Sequence, residues 1–256
     1  MLANIPSITP IEKRGSRYYK IDGIDELYPS VTTVTGAVLN KPALVPWAKR
    51  VALENMSAEL YHAMANDIVI DELFVDDAVK RSMARPDKLK DAAADLGTRV
   101  HAAIDAIIKG EKYEKTPDIE TGVNAFLAWR KEKGIEIVQS EVRVFSKELE
   151  VAGCVDAIGR NKDGGLVVLD WKTSRGVYLE MAYQVGGYAL CLEELLDDTV
   201  AEAWIIRFPK NKEDGIEPEP YKVNDLFMAM NGFTLCRSLF RIKSNKMFLD
   251  RDGKPC

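Results

Sequence analysis

Two apolar stretches joined by a tight turn constrain this chain more than anything else in it. Residues 153–174 read G-C-V-D-A-I-G-R-N-K-D-G-G-L-V-V-L-D-W-K-T-S. Asp156 lies in the mainly apolar run 151–158, Asp170 ends the run 166–169, and residues 161–165 supply Asn, Asp and Gly for a turn. The pattern predicts a hairpin with strands over 151–160 and 166–173. Side chains two apart on a strand share a face, so Asp170 and Lys172 point together while Trp171 points away. A carboxylate beside a cation, with a second carboxylate on the neighbouring strand, suits metal-dependent phosphodiester chemistry. Taken alone, Asp170 and Lys172 read equally well as a surface ion pair at a strand end, which contributes little to stability.

Around this hairpin the hydrophobic periodicity sets an order of elements. A helix is predicted over 89–108, where Leu96, Val100, Ile104, Ile107 and Ile108 make one stripe, with His101 at its flank and Gly110 near its end. A second helix is expected over 119–133, stopped at Gly134, then an alternating strand over 135–145. After the hairpin come a helix over 178–196, a strand near 203–208, a polar loop or hairpin over 209–220 and a closing helix over 224–243. Helix, three meandering strands, helix and strand make an α/β chain with a mixed central sheet flanked by helices. Further upstream, 18–21 and 28–34 read as extended, and Pro46 suits the first turn of a helix reaching about Met64, with Trp47, Val51 and Leu53 as its apolar contacts. Residues 1–90 are expected to form a mostly helical cap with short strands, packed as one structural unit with residues 91–256.

Five ordered pieces of the chain carry a family resemblance: Gly97 with His101 on a helix, Glu141 on a strand, Gly153 with Asp156, Asp170 with Lys172, and Gln184 with Tyr188 on the following helix. In that order and spacing, from about Asp95 to Tyr188, the chain resembles the P-D-(D/E)-x-K nuclease superfamily and, more narrowly, its RecB-like exonuclease branch. The segment 28–34, Y-P-S-V-T-T-V, followed by Trp47, is similar to the opening of phage-type and mitochondrial genome maintenance exonucleases. The resemblance implies a restriction-endonuclease-like core in residues 91–256 and a metal-dependent DNA exonuclease working on single-stranded or resected ends in phage or host recombination, replication or repair. A structure-specific endonuclease would share the same site, and a silent nucleic-acid-binding module is a third reading.

The resemblance also implies roles. Asp156 and Asp170 would be the primary metal ligands, His101 a further ligand and the Trp171 carbonyl a backbone ligand. Hard oxygen donors suit Mg2+ or Mn2+, and an imidazole tilts the preference to Mn2+. Lys172 would orient the attacking water and offset phosphate charge. Glu141 is either a ligand of a second metal or an acceptor behind the first, and whether one or two metals bind stays open. Gln184 and Tyr188, four apart on one helix face, would hold Lys172, the water or a phosphate. Without the motif, His101 reads as a helix-edge histidine, Glu141 as a solvated strand residue, and Gln184 and Tyr188 as helix packing.

Composition narrows the alternatives. The formal charge of −5 argues against a protein that coats nucleic acid by bulk electrostatics. Local basic patches are expected instead at Lys80, Arg81, Arg85, Lys88 and Lys90, and at Arg237, Arg241, Lys243 and Lys246, each equally readable as a solvated helix face. Cys154, Cys191, Cys236 and Cys256 lie far apart with no C-x-x-C pair, so neither zinc nor a disulfide framework is suggested, and no iron-sulfur cluster is expected. Trp47, Trp129 and Trp204 are candidates for base stacking, His62 is expected to be structural or solvent-facing, and Trp171 is expected to pack behind its strand. No Walker segment is present, so unwinding would need a helicase or recombination partner. No apolar stretch spans a bilayer, and the chain reads as cytoplasmic, with its oligomeric state open.

Overall fold

The computed structural model describes residues 5–132 and 134–244. Lys133, Lys246 and Cys256 lie outside the described residues. Strands β1 (Ile8–Lys13), β2 (Ser16–Ile21) and β3 (Tyr28–Pro29) form a small antiparallel sheet. Helices α1 (Val31–Val38), α2 (Leu44–Ala65), α3 (Glu72–Lys109) and α4 (Glu120–Glu132) follow. Then come β4 (Glu136–Ser146), β5 (Val151–Arg160), β6 (Leu166–Lys172), α5 (Leu179–Leu196), β7 (Val200–Arg207), a 3-10 turn (Lys212–Asp214), β8 (Glu219–Lys222) and α6 (Leu226–Ser244). The five later strands make one sheet in the order β4-β5-β6-β7-β8. Only β6 and β7 run parallel, joined through α5, so the sheet is mixed and flanked by helices as expected.

The hairpin and its turn form as read. Asn161 Oδ1 accepts from the amides of Asp163 at 3.1 Å and Gly165 at 2.8 Å, which closes the β5–β6 turn. Two local readings are corrected. The segment 28–34 is extended only at Tyr28 and Pro29. Ser30 caps α1 by accepting the Thr33 amide at 2.9 Å, and this cap overrides the strand preference of the following Val and Thr residues. Helix α3 begins at Glu72 rather than 89 and carries Pro86 inside it, because its earlier turns are polar and show no apolar stripe. The 209–220 segment resolves into the 3-10 turn and the start of β8, which pairs with β7.

Of the described residues, those within Met1–Leu39 and Arg99–Cys256 form one compact unit, and Asn40–Thr98 forms another. In the larger unit one face of the sheet is covered by α1, α5 and α6. Val34, Val185, Leu192 and Phe233 pack there with Val144, Val155, Val168 and Ala203. Each fully buried side chain of this kind contributes about 1.5–3 kcal/mol. On the other side of β6, Trp171 meets Phe126 and Trp129 of α4 and Phe208, with ring centroids 5.3–5.8 Å from its own. The small sheet packs Ile8, Tyr19, Ile21 and Tyr28 against Phe145 of β4 and Ala152 of β5. In the smaller unit, Asn55 of α2 donates to Ser82 of α3 at 3.1 Å, and Arg81 pairs with Glu59. Among the described residues no helix is long and apolar enough to cross a membrane.

Helices α5 and α6 meet backbone to backbone at Gly186, where an added Cβ would stand 2.5 Å from the Ala229 carbonyl. Backbone cannot yield as a flexible side chain can, so Gly186→Ala is expected to cost about 1–3 kcal/mol, read as a lower urea midpoint at unchanged slope.

Candidate active site

Strands β5 and β6 pair only up to Ala157 and Leu169. Beyond that point the ladder ends, and the Asp156 side chain takes its place: its Oδ2 accepts the Trp171 amide at 2.7 Å. The amide and carbonyl of a strand residue face the same edge, so the Trp171 carbonyl is directed to the Asp156 side as well. The other Asp156 oxygen lies 3.4 Å from His101 Nδ1, carried by α3. Asp170, one residue before Trp171, points to the opposite face toward α5. There its Oδ1 accepts from Gln184 at 2.8 Å and its Oδ2 stands 2.5 Å from Lys172 Nζ. Gln184 also donates to Tyr188 Oη at 3.1 Å.

His101, Asp156, Asp170, Lys172, Gln184 and Tyr188 are thus linked through side chains and the Trp171 amide into one cluster. Gln184 bonds Asp170 rather than Lys172, and Tyr188 reaches the cluster through Gln184. Tyr188 lies over Gly153, where an added Cβ would come 2.6 Å from the ring, so Gly153 is needed for the phenol to reach the cluster. Glu141 stands beside the cluster but bonds elsewhere: its Oε2 accepts from Cys154 Sγ at 3.2 Å. The Trp171 ring packs behind β6, as its alternation requires.

Burial and charge work against each other here. Burial pushes Asp170 up to about 6, opposed by the Lys172 ammonium and reinforced by the Asp156 carboxylate. Burial also acts to raise Asp156, but His101, Lys172 and the Trp171 amide outweigh it and hold this carboxyl below its ordinary range. For His101 burial favours the neutral ring, yet Asp156 prevails and raises it. Desolvation raises Glu141, and Asp156 and Asp105 add to that.

Among the described residues no three His, Cys, Asp or Glu side chains stand together as a complete metal-ligand group. The donor chemistry nevertheless fits a hard divalent cation. Asp170 Oδ2 is buried with no well-directed hydrogen bond and with Lys172 as its ion-pair partner, and a second carboxylate, an imidazole and a strand-end carbonyl are close by. A cation would compensate a carboxylate that burial now disfavours.

The remaining candidates are placed as follows. Trp129 is 1 % exposed and cannot stack on a base. Trp204 Nε1 donates to Glu202 at 2.8 Å, and the Lys222 ammonium stands over its ring. The basic patches are largely committed to other partners: Lys80, Arg81 and Lys90 to Asp77, Glu59 and Asp87, and Arg237 and Arg241 to Glu150, while Lys243 donates to the Ala37 carbonyl. His62 is exposed next to Asn66, outside the cluster. Cys191 and Cys236 are buried and Cys154 is partly so.

Sequence reasoning missed Arg207 of β7, which is buried and registers opposite Lys172. It donates to the Ser174 carbonyl at 2.8 Å and pairs with Asp214 and Glu219, anchoring the loop that leaves Lys172. An arginine closing a strand carries no local signal of burial. Also missed were Asp105, one turn beyond His101, and Ser140, whose hydroxyl donates to it at 2.6 Å. The four-residue step from His101 to Asp105 was the available sign.

The sequence matches the profile of the PD-(D/E)XK nuclease superfamily over residues 59–241. No curated protein matches it. A solved structure described as "Crystal structure of SSO0001" is 14% identical, with a TM-score of 0.33 over 77% of this chain and 77% of that one.

With only two histidines in the chain, the His101–Asp156 pair can be followed directly by NMR. In metal-free protein His101 is expected to titrate above 6.5, because Asp156 raises it. The pair therefore stabilises the fold fully below the unfolded value, and this contribution fades as pH rises through the folded one. In Asp156→Asn, burial dominates and the His101 midpoint is expected below 6.5; an unchanged midpoint would contradict the pairing.

Proposed function

The chain belongs to the PD-(D/E)XK nuclease superfamily, and from that premise we propose that it is a metal-dependent deoxyribonuclease of the RecB-like exonuclease branch, hydrolysing single-stranded or resected DNA from its ends. Membership implies a nuclease, a hydrolase of phosphodiester bonds, and enzymes of this superfamily generally use divalent metals such as Mg2+. Supporting the finer reading above all is the convergence of His101, Asp156, Asp170, Lys172 and Gln184 through direct contacts of 2.5–3.4 Å. The amino-terminal likeness to phage-type exonucleases supports action at ends. A role in recombination, replication or repair follows from the same likeness, with any unwinding left to a helicase or recombination partner.

Asp156, Asp170, His101 and the Trp171 carbonyl would hold Mg2+ or Mn2+. When bound, such a cation supplies a water of lowered pKa and neutralises charge on the scissile phosphate. The chain's own residues do the rest. Asp156 is fixed by the Trp171 amide and Asp170 by Gln184, so neither carboxylate has to reorganise as charge develops. Water adds to phosphorus, the bond to the leaving sugar oxygen breaks, and that oxygen takes up a proton. Lys172 is partly buried beside Asp170, which places its ammonium where it can orient the water and offset charge on the phosphoryl oxygens. Tyr188 keeps Gln184 in place. Glu141 serves either a second cation or the acceptor side of the first.

The test is degradation of DNA labelled at its 5′ or 3′ end, single- and double-stranded, with Mg2+ or Mn2+. Lys172→Ala is expected to lower the rate by about 10²-fold or more, as loss of a fixed transition-state charge does. Closed circular single strands are expected to resist. Cutting of circles and linear strands at equal rates would make the enzyme an endonuclease, and no cleavage of any substrate would favour a silent binding module.

A further inference from the structure

Glu141 breaks two local rules at one place. Its φ of 50° puts a non-glycine residue in the middle of β4, an edge strand of the sheet, in the left-handed region. The β4–β5 ladder pairs Ser140 with Ala157 and Val142 with Val155. Glu141 therefore stands opposite Asp156, and like charges facing each other across a strand pair are unfavourable. Backbone strain and carboxylate repulsion together persist only where surrounding contacts over-determine them.

Those contacts are visible. Regular alternation sends every second side chain to one face, and Val142 and Val144 point into the core with Val185 and Leu192 of α5. Continued one step back, that rule would put Ser140 on the same side. Instead the Ser140 hydroxyl, almost fully buried, donates at 2.6 Å to Asp105 Oδ1 on α3. The alternation reverses at Glu141, whose carboxylate lies with Cys154 and within electrostatic reach of Asp105 and His101 of α3. Lys109 holds the second Asp105 oxygen at 2.7 Å, and the Cys154 thiol holds the Glu141 carboxylate at 3.2 Å. One face of α3 thus grips both strands: His101 on Asp156 of β5 and Asp105 on Ser140 of β4. Irregularities of this kind beside active sites re-aim a side chain.

The geometry points to Asp105 and Ser140 as positioning residues: their hydrogen bond holds β4 in the reversed alternation that turns the Glu141 carboxylate toward Asp156, and so sets the affinity of the site for a divalent cation. This rests on the reading that Asp156 and Asp170 hold such a cation. Asp105 and Ser140 touch neither cation nor substrate in this scheme and act only through Glu141.

The experiment is a calorimetric titration of the full chain with Mn2+, made on Ser140→Ala, Asp105→Ala and the double variant, beside the Mn2+ dependence of DNA cleavage and the unfolding midpoint. Loss of a group that orients a metal-site residue commonly weakens binding 10- to 100-fold. Each single variant is therefore expected to bind Mn2+ about tenfold more weakly or worse, with a smaller effect on the rate at saturating Mn2+. The double variant is expected to bind no more weakly than either single, because one bond is removed in all three. Asp105→Asn retains an acceptor for Ser140 and is expected to stay within a few-fold of the wild type, which keeps the test decisive should Ser140→Ala fail to fold. Wild-type affinity in Asp105→Ala, or losses that multiply in the double variant, would overturn the clasp. Absence of Mn2+ binding by the wild type would overturn the metal reading itself, a different outcome from a wild type that binds and variants that bind equally.

Discussion

The bond from the Trp171 amide to Asp156 Oδ2, 2.7 Å long, is the contact on which the rest of the site depends. It stands where the β5–β6 ladder stops, so a side chain replaces a backbone acceptor just as the two strands part. A strand end without partners would leave a buried amide unsatisfied, at a cost of about 1–3 kcal/mol. Here that amide is satisfied by the carboxylate that the chemistry needs nearby. The same bond fixes one Asp156 oxygen to β6 and leaves the other to His101.

Two supports keep β6 in place while its end carries charge. Behind it, Trp171 packs edge-on against Phe126 and Trp129 at centroid distances of 5.6 and 5.3 Å, an apolar wall that cannot shift without opening a cavity. In front, α5 brings Gln184 to Asp170, and its close contact with α6 at Gly186 holds that helix down. Beyond Lys172, the buried Arg207 ties the departing loop to the β7–β8 region through three partners. Removing one acidic partner would leave the buried guanidinium under-compensated, which makes Arg207 a structural anchor rather than a surface cation.

Much of this was legible locally. The turn at Asn161, the strands carrying Asp156 and Asp170, and the helix carrying Gln184 all follow from short-range pattern, and their bounds agree to within a few residues. Other features were not. Hydroxyl capping by Ser30 turned a β-rich run into α1, and Pro86 did not stop α3. One basic residue of the expected patches, Arg237, is instead buried and bound to Glu150 and to the Leu149 carbonyl. A charge pattern along one helix does not say what carboxylate another segment will bring to it.

Sequence alone determined the composition of the cluster: which residues share a strand face, which stand one helical turn apart, and that two carboxylates and a lysine flank a tight turn. These are consequences of periods of 2.0 and 3.6 residues, which depend only on neighbours along the chain. Tertiary structure alone decided how the groups are wired. Asp156 is bound to β6, Gln184 to Asp170 rather than Lys172, and Ser140 to Asp105 with its alternation reversed at Glu141. Those bonds join residues 14 to 35 positions apart. Their geometry follows from where strands stop pairing and which helix face is buried against them, quantities that no local period contains.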